Sequence, residues 1–326
     1  MDREKLQDVI PIETPYLVFI DPSSVCNLSC KFCPCGGGNK EVWSQDKRTS
    51  FLPYTDYRKI IDDLAEFPEK IKTLRLYKEG EPLANRFFPE MIQYARKKDV
   101  TGRIDFTTNG TLFTEDLALA VTDAGVDRIN ISIEALDAEG YWDISGIKLD
   151  FDKFYNNLKF LYHHKNGAHI FVKISDCGLG EHKAEEFYNM FSDISDEMAV
   201  EHITSVWPEF EITKVDKDGD FDIYGGKMDE RNSVDVCPYI FYSICINSDS
   251  SVSTCFMDWN HKLIIGNAKD KSIKEIWNGQ QLRDMRINHL QGNRCLHEIC
   301  SNCGQLKFAV LDNIDSYRNE LLERIR

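Results

Sequence analysis

Short apolar runs alternate with stretches of helical periodicity through the first two thirds of the chain. The runs are rich in β-branched residues, and in the stretches between them apolar positions recur every three to four residues, so the pattern predicts parallel βα units. The predicted strands cover residues 16–20, 71–77, 103–108, 127–135, 169–175 and 198–206. The predicted helices cover residues 55–67, 88–98, 115–124, 152–164 and 181–191.

Six such units with one sheet edge left open predict an α/β fold, a partial (β/α)6 TIM barrel over residues 1–207. In such barrels ligands gather at the carboxyl ends of the strands. The charged segment 208–236 is predicted to be a linker or hairpin. Residues 237–304 are predicted to form a small α+β module, with strands at 241–246 and 251–255 and a helix at 273–289. Residues 305–326 are predicted to form an amphipathic C-terminal helix.

Charge and composition exclude several classes of function. The net charge of -15 argues against a nucleic-acid partner and against an anionic membrane surface. The chain has no apolar run long enough for a transmembrane helix, and residues 1–8 lack the apolar core of a secretory signal, so we expect a cytoplasmic protein. Its eleven cysteines fall into two groups, at 26–35 and 237–303, with Cys177 between them. In such a protein they are more plausibly metal ligands than disulfides.

The first group follows the first predicted strand directly. Cys26, Cys30 and Cys33 are spaced so that one loop can turn all three sulfurs toward a single point. Thiolates suit zinc or iron–sulfur clusters. A structural zinc site wants four protein ligands, and this set stops at three unless Cys35 joins it. A cubane [4Fe–4S] cluster held by three cysteines keeps one iron free for another ligand.

The spacing Cys-x3-Cys-x-aromatic-Cys resembles the cluster motif of the radical S-adenosylmethionine (SAM) enzymes. The resemblance implies that Cys26, Cys30 and Cys33 hold a [4Fe–4S] cluster whose open iron is chelated by SAM, and that Phe32 lines the adenine side. Gly80-Glu81-Pro82 resembles the Gly-Gly-Glu-Pro motif of the same family, which takes the SAM ammonium. Glu79 departs from it, because the family often has Gly there. A Gly-Glu-Pro sequence by itself is also an ordinary turn.

Polar residues end the next predicted strands on the same rim. By resemblance, Thr107, Asn109 and Ser132 are candidates for the SAM carboxylate and the ribose hydroxyls. A strand-ending turn for Asn109 and a satisfied core hydroxyl for Ser132 are the alternatives. Glu134 points to the same face as Ser132, because side chains two residues apart share a face of a strand. It is therefore a candidate contact of ribose or substrate.

Two further residues have both a functional and an ordinary interpretation. Lys173 is a charge inside an apolar strand, and it either faces the SAM carboxylate or is an exposed alternation residue. Cys177 follows the same strand. It is either a hydrogen-atom donor to a substrate radical, as in epimerases of this superfamily, or a small buried apolar residue.

The C-terminal module has six of the cysteines. Its sequence, including Gly266-Asn267 and Ile276-Trp277-Asn278, resembles the SPASM/twitch module that carries auxiliary clusters in many radical SAM enzymes. The resemblance implies ligands at Cys237, Cys255, Cys300 and Cys303. Ser250 stands where the family usually has Gly, and the longer run of cysteines for a second cluster is missing, so we expect one auxiliary [4Fe–4S] cluster. Cys245 and Cys295 are left over and can replace one of the four, and a zinc ribbon is the alternative site.

By resemblance, the expected activity is reductive cleavage of SAM to a 5'-deoxyadenosyl radical that abstracts a substrate hydrogen atom. We expect oxidation or epimerisation of a small molecule such as a sugar or aminocyclitol, with flavodoxin or ferredoxin as electron donor. The alternative within the enzyme class is maturation of a ribosomal peptide or protein. The alternative from another class is a non-catalytic zinc or iron–sulfur binding protein.

Overall fold

Six parallel strands follow one another across a sheet in chain order. The computed structural model describes residues 4–36, 50–179, 182–210, 223, 234–309 and 311–325. The strands are β1 (Leu17–Ile20), β2 (Thr73–Arg75), β3 (Ile104–Thr108), β4 (Arg128–Ile133), β5 (His169–Ser175) and β6 (Glu197–Glu201). Each predicted strand is present, although β2 is shorter than its apolar run and β6 ends at Glu201 rather than near residue 206.

Helices connect these strands and cover the buried face of the sheet. They are α1 (Leu6–Val9), which precedes β1, and then α2 (Tyr54–Leu64), α3 (Phe88–Lys98), α4 (Glu115–Asp123), α5 (Ala138–Ser145), α6 (Phe151–His163), α7 (Asp176–Leu179) and α8 (Ala184–Phe191). Thr114 caps α4, its hydroxyl accepting the backbone N–H of Leu117 at 3.2 Å, as is common for a threonine at this position. Strand β4 shows that the two faces of the sheet differ in burial. Ile129, Ile131 and Ile133 are buried, and the residues between them are only half-buried.

The C-terminal module continues this sheet. Its strands are β7 (Ser243–Ile246), β8 (Ser251–Ser253) and β9 (Ile264–Asn267), and the described residues form one nine-stranded sheet ordered β6-β5-β4-β3-β2-β1-β7-β8-β9. Strand β7 pairs with β1 in parallel, with Leu17 opposite Ser243 and Ile20 opposite Ile246. The sheet is open as predicted, but β1 is not one of its edges among the described residues. Because all four residues of β7 are buried, its backbone requires partners on both sides. In the part of the chain that is described, β6 and β9 are the edges, so the barrel is partial.

Two predicted helices are interrupted. The helices of this half are α9 (Tyr239–Tyr242), α10 (Ile273–Trp277), α11 (Gln280–Leu290), α12 (Glu298–Ser301), α13 (Gln305–Phe308) and α14 (Arg318–Ile325). The predicted helix 273–289 breaks after Trp277, because the Asn278 side chain turns back to cap α10 through the Lys274 carbonyl at 2.9 Å, and Gly279 begins α11. The prediction of a single helix over residues 305–326 is also wrong, because α13 and α14 are separate helices. Asp315 lies between them, and its carboxylate accepts the N–H groups of Asp235 and Val236.

Most of the predicted linker 208–236 lies outside the described residues. Among the residues that are described, no helix is long and apolar enough to cross a membrane.

Trp277 docks the C-terminal module onto the N-terminal segment. Its side chain is 1% exposed, its indole N–H donates to the Ile12 carbonyl at 3.1 Å, and the Arg286 guanidinium lies 4.2 Å from its ring centroid. We expect Trp277→Ala to lower the free energy of unfolding by about 3–5 kcal/mol, the usual cost of deleting a buried tryptophan. Urea unfolding would measure it. Trp142→Ala is the matched control, since Trp142 is 52% exposed, and equal losses in the two variants would contradict the docking role.

Candidate functional site

The cysteine loop lies at the carboxyl end of β1 and is held there by backbone contacts. The N–H of Ser29 donates to the Ser145 carbonyl at 2.9 Å and that of Lys31 to the Ile144 carbonyl at 3.1 Å, so the loop is fixed to the end of α5. Within the loop, the N–H of Cys33 donates to the Cys30 carbonyl at 3.2 Å. Cys26, Cys30 and Cys33 all line one cavity of about 510 Å³. The loop therefore presents the three predicted ligands to a common space.

The electrostatics of these thiols suit a bound metal group. Burial raises the pKa of Cys26 to about 12, and burial followed by the charges of Glu134, Cys33 and Cys26 raises the pKa of Cys30 further. Such thiols stay protonated unless a metal takes the place of the proton. Cys35 lies against Cys33, and their hydrogen bond lowers the pKa of Cys33. Among the described residues no three His, Cys, Asp or Glu side chains lie close enough to hold one metal ion. It is the donor set, three thiols on one loop beside a cavity, that fits a cluster.

The loop after β2 packs directly on the cysteine loop. A Cβ atom added at Gly80 would lie 2.3 Å from the Ser23 carbonyl oxygen and 2.5 Å from that of Val25, so only glycine permits this approach. The N–H of Glu81 donates to the same Val25 carbonyl at 2.9 Å. Gly80 and Glu81 both line the cavity, whereas Pro82 begins a short 3-10 helix and does not.

The Glu81 carboxylate is already bonded within the chain. One oxygen accepts the Thr108 hydroxyl at 2.6 Å and the Leu83 N–H at 3.1 Å, and the other accepts the Asn109 N–H at 2.9 Å. Burial raises the pKa of Glu81 to about 7 although these bonds oppose the shift. The side chain therefore ties the β2 and β3 loops together. The Asn109 side chain donates to Asn27 at 3.0 Å and lies 3.9 Å from the Cys26 sulfur.

The polar residues at the ends of β3, β4 and β5 also face the cavity. Thr107, Ser132, Glu134 and Lys173 line it, and Ser132 and Lys173 are opposite each other in the β4–β5 register. Burial raises the pKa of Glu134 to about 7, opposed by a hydrogen bond with the Cys30 thiol. Lys173 pairs with Glu201 at 2.7 Å, so it is a cavity residue with a carboxylate partner. Phe32 lines the cavity as well.

Cys177 occupies a different position. It lies in the short helix α7, its backbone N–H donates to the Asp176 carboxylate at 2.8 Å, and it does not line the cavity that the described residues enclose. Its place gives no support to a role as hydrogen-atom donor.

The four predicted ligands of the C-terminal module form a second thiol group, whose members are near enough for their charges to affect one another's pKa. Burial is the main cause that raises the pKa values of these thiols, and the charges of Cys237 and Cys303 raise those of their neighbours further. The pKa values of Cys237 and Cys300 each rise to about 12. Cys295 is exposed, and Cys245 is buried in β7, where its charge helps to raise the pKa of Cys255. Phe256, next to Cys255, and Tyr239, two residues after Cys237, line the main cavity. The second thiol group therefore adjoins the wall of the first site.

A buried cluster of polar and charged side chains links the loop after β2 to the C-terminal module. Only one of its members, Glu79, was singled out from the sequence. The ammonium of Lys78 contacts the Glu79 carboxylate at 2.5 Å, the Asn247 side chain at 2.8 Å and the Asp258 carbonyl at 2.9 Å. His261 Nε2 lies 2.7 Å from the same Glu79 oxygen. The departure at Glu79 noted in the sequence is thus the centre of an ion cluster. Its partners in the C-terminal module carry no motif that sequence reasoning could use.

Comparison with protein families agrees with this arrangement. The radical SAM superfamily model matches residues 20–194, and the model of an iron–sulfur cluster-binding domain, SPASM, matches residues 237–304.

Individual relatives are more distant. A probable GTP 3',8-cyclase of Methanococcus maripaludis is 35% identical over 121 residues, 37% of this chain and 37% of that protein. A tungsten-containing aldehyde ferredoxin oxidoreductase cofactor-modifying protein of Pyrococcus furiosus is 29% identical over 119 residues, 36% of this chain and 31% of that protein. The chain thus spans about a third of the length of these relatives.

Solved structures share the fold over nearly the whole chain. BtrN in complex with AdoMet and 2-DOIA aligns with a TM-score of 0.56 and 17% identity over 98% of this chain and 99% of that one. Streptococcus suis SuiB bound to S-adenosylmethionine aligns with a TM-score of 0.62 and 14% identity over 94% of this chain and 74% of that one.

Proposed function

Since the chain belongs to the radical SAM superfamily, we propose that it abstracts a hydrogen atom from a small molecule, such as a sugar or aminocyclitol, for oxidation or epimerisation. The observation that supports this most is the single cavity. Three thiols of the cysteine loop line it, and so do two residues beside the second thiol group. Cys26, Cys30 and Cys33 would hold a [4Fe–4S] cluster, which would supply the electron for cleavage of SAM to methionine and a 5'-deoxyadenosyl radical.

The chain's own residues bind and orient SAM. Because both oxygens of Glu81 are occupied, we assign that side chain to shaping the loop, and we assign the SAM ammonium to the loop's polar backbone at Gly80. Asn109 and Lys173 face the SAM carboxylate in this proposal, Ser132 and Glu134 the ribose, and Phe32 the adenine. The cavity walls exclude water, which is the protein's contribution to cofactor chemistry.

The second thiol group favours an oxidation. Cys237, Cys255, Cys300 and Cys303 would hold one auxiliary [4Fe–4S] cluster, which supplies an electron-accepting centre beside the cavity. An external donor such as flavodoxin or ferredoxin would provide the electron for SAM cleavage, in a cytoplasmic setting.

The test is anaerobic incubation of reconstituted protein with SAM and dithionite. We expect 5'-deoxyadenosine and methionine, together with iron and sulfide in amounts for two clusters. S-adenosylhomocysteine as the main product would indicate methyl transfer instead. Zinc without iron would overturn the proposal and favour a binding protein. A mass change in an added peptide, with none in added sugars or aminocyclitols, would favour the peptide-maturing alternative, since Streptococcus suis SuiB, which shares the fold, has been solved bound to a precursor peptide.

A further inference from the structure

One wall of the cavity is an aromatic enclosure built by both halves of the chain. The rings of Phe19 on β1 and Phe256 stack at 5.1 Å between centroids, and Tyr239 meets Phe256 edge-on at 4.9 Å. Tyr77 contacts Phe19 edge-on at 5.9 Å. All four rings line the cavity. This wall suits the apolar face of a small ligand.

Arg75 is the charge that this enclosure surrounds. Its guanidinium carbon lies 5.5 Å from the Phe19 ring centroid, and the side chain lines the cavity with 37% of its surface exposed. Burial, the largest influence, lowers the pKa of Arg75, but Tyr77, Asp105, Tyr239 and Tyr242 together raise it above its ordinary value. Arg75 is therefore a permanent cation at the aromatic wall.

The charge of Arg75 is not fully balanced by the chain. Its ion-pair partner is Asp105, at 3.4 Å from Nε, and no hydrogen bond joins the two atoms. Arg103 approaches the same carboxylate at 3.4 Å. Two guanidinium groups thus share one carboxylate.

The other charges on the cavity wall already have partners. Lys78 pairs with Glu79 and Lys173 with Glu201. Glu81 accepts hydrogen bonds from Thr108 and Asn109 at the end of β3, and Glu134 bonds with the Cys30 thiol. Within the described part of the chain, the terminal nitrogens of Arg75 donate no hydrogen bond. A guanidinium presents its donors in a rigid fork that matches an oxyanion.

We propose that Arg75 and the aromatic wall select a small substrate that carries a carboxylate or phosphate group next to a ring or apolar body. This inference rests on the proposed function and specifies its substrate class. The anion would balance the second guanidinium charge, and the ring would lie against Phe19 and Phe256. Within the proposed class, the inference selects sugars or cyclitols that carry an acidic group over those that carry none.

The test is calorimetric titration of the SAM-loaded, unreduced holoprotein, in which no turnover occurs, with glucose, glucuronate and glucose 6-phosphate. We expect both anionic probes to bind about tenfold more tightly than glucose. We also expect Arg75→Gln to abolish this preference, with SAM affinity unchanged, and Arg75→Lys to keep part of it.

Arg128→Gln is the matched control, because Arg128 lies in another barrel strand, β4, pairs with Glu197 at 2.6 Å and does not line the cavity. It should leave the preference intact. Equal binding of charged and neutral probes, no binding of any probe, or a preference that persists in Arg75→Gln would overturn the inference. The two hypotheses fail separately. Charge-selective binding without 5'-deoxyadenosine formation under reduction contradicts the proposed function alone, whereas 5'-deoxyadenosine formation without charge selection contradicts this inference alone.

Discussion

Replacing Cys26 with alanine is expected to reduce 5'-deoxyadenosine formation to the level of a protein-free reaction. Cys26 is one of three thiols on the loop after β1, and the cluster proposed there has no spare protein ligand among Cys26, Cys30 and Cys33 that could compensate. The iron content should fall by one cluster, because the second thiol group remains. Chromatographic assay of 5'-deoxyadenosine and iron analysis measure the two effects.

Two further variants make this result specific. Cys300→Ala should still form 5'-deoxyadenosine, because its thiol belongs to the second group, and should lose the oxidised product. Cys295→Ala is the matched control, since this cysteine is exposed and is not among the proposed cluster ligands. Full activity in Cys26→Ala, or loss of SAM cleavage in Cys295→Ala, would contradict the assignment of the ligands.

Removing the charge of Lys78 is expected to be among the most destabilising single changes in the chain. The side chains of Lys78 and Glu79 are each 1% exposed. Burial alone would raise the pKa of Glu79, but Lys78 and then His261 hold it below its ordinary value. Burial and the charge of Glu79 raise the pKa of Asp21 well above its ordinary value. Lys78→Met leaves these carboxylates without their main counter-charge, which costs about 3–5 kcal/mol.

Urea unfolding of the holoprotein measures this effect. The double variant Lys78→Met, Glu79→Gln should lose less than the single variant, because it removes both buried charges together. Lys70→Met is the control, since Lys70 pairs with Asp99 on the surface, where the two side chains are 56% and 71% exposed. Its loss should be within about 1 kcal/mol. A loss of that size in Lys78→Met would contradict the role given to the buried cluster.

The barrel half of the fold was predictable because its signals are local. Apolar runs and helical periodicity gave each parallel strand and most helix boundaries, and Thr114 was recognisable as a cap. The pairing of β7 with β1 was not predictable, because a short β-branched run does not specify its partner. The helix break after Trp277 was not predictable either. An Asn-Gly pair in a helical pattern, such as Asn278-Gly279, does not determine whether the helix continues or ends there.

The candidate site was predictable where motifs carry it and obscure elsewhere. The cysteines of both groups, Gly80, Glu81 and the strand-end residues came from spacing and resemblance. The hydrogen-bond partners of Glu81 were not predictable, because Thr108 belongs to no motif. His261 and Glu79 are far apart in sequence, and single-sequence patterns do not report such contacts. Arg75 belongs to no motif, and the sequence pattern predicts only that it lies in a strand. The one available signal is its position two residues before Tyr77, which puts both side chains on one face of the strand.

The parallel pairing of β7 with β1 also constrains how the chain matures on the ribosome. Strand β1 has an unsatisfied hydrogen-bonding edge until β7 has emerged, and exposed edges invite pairing with other chains. A nascent chain stalled before Ser243 would therefore be prone to self-association. Expression of the barrel alone should consequently give aggregates rather than a smaller functional enzyme.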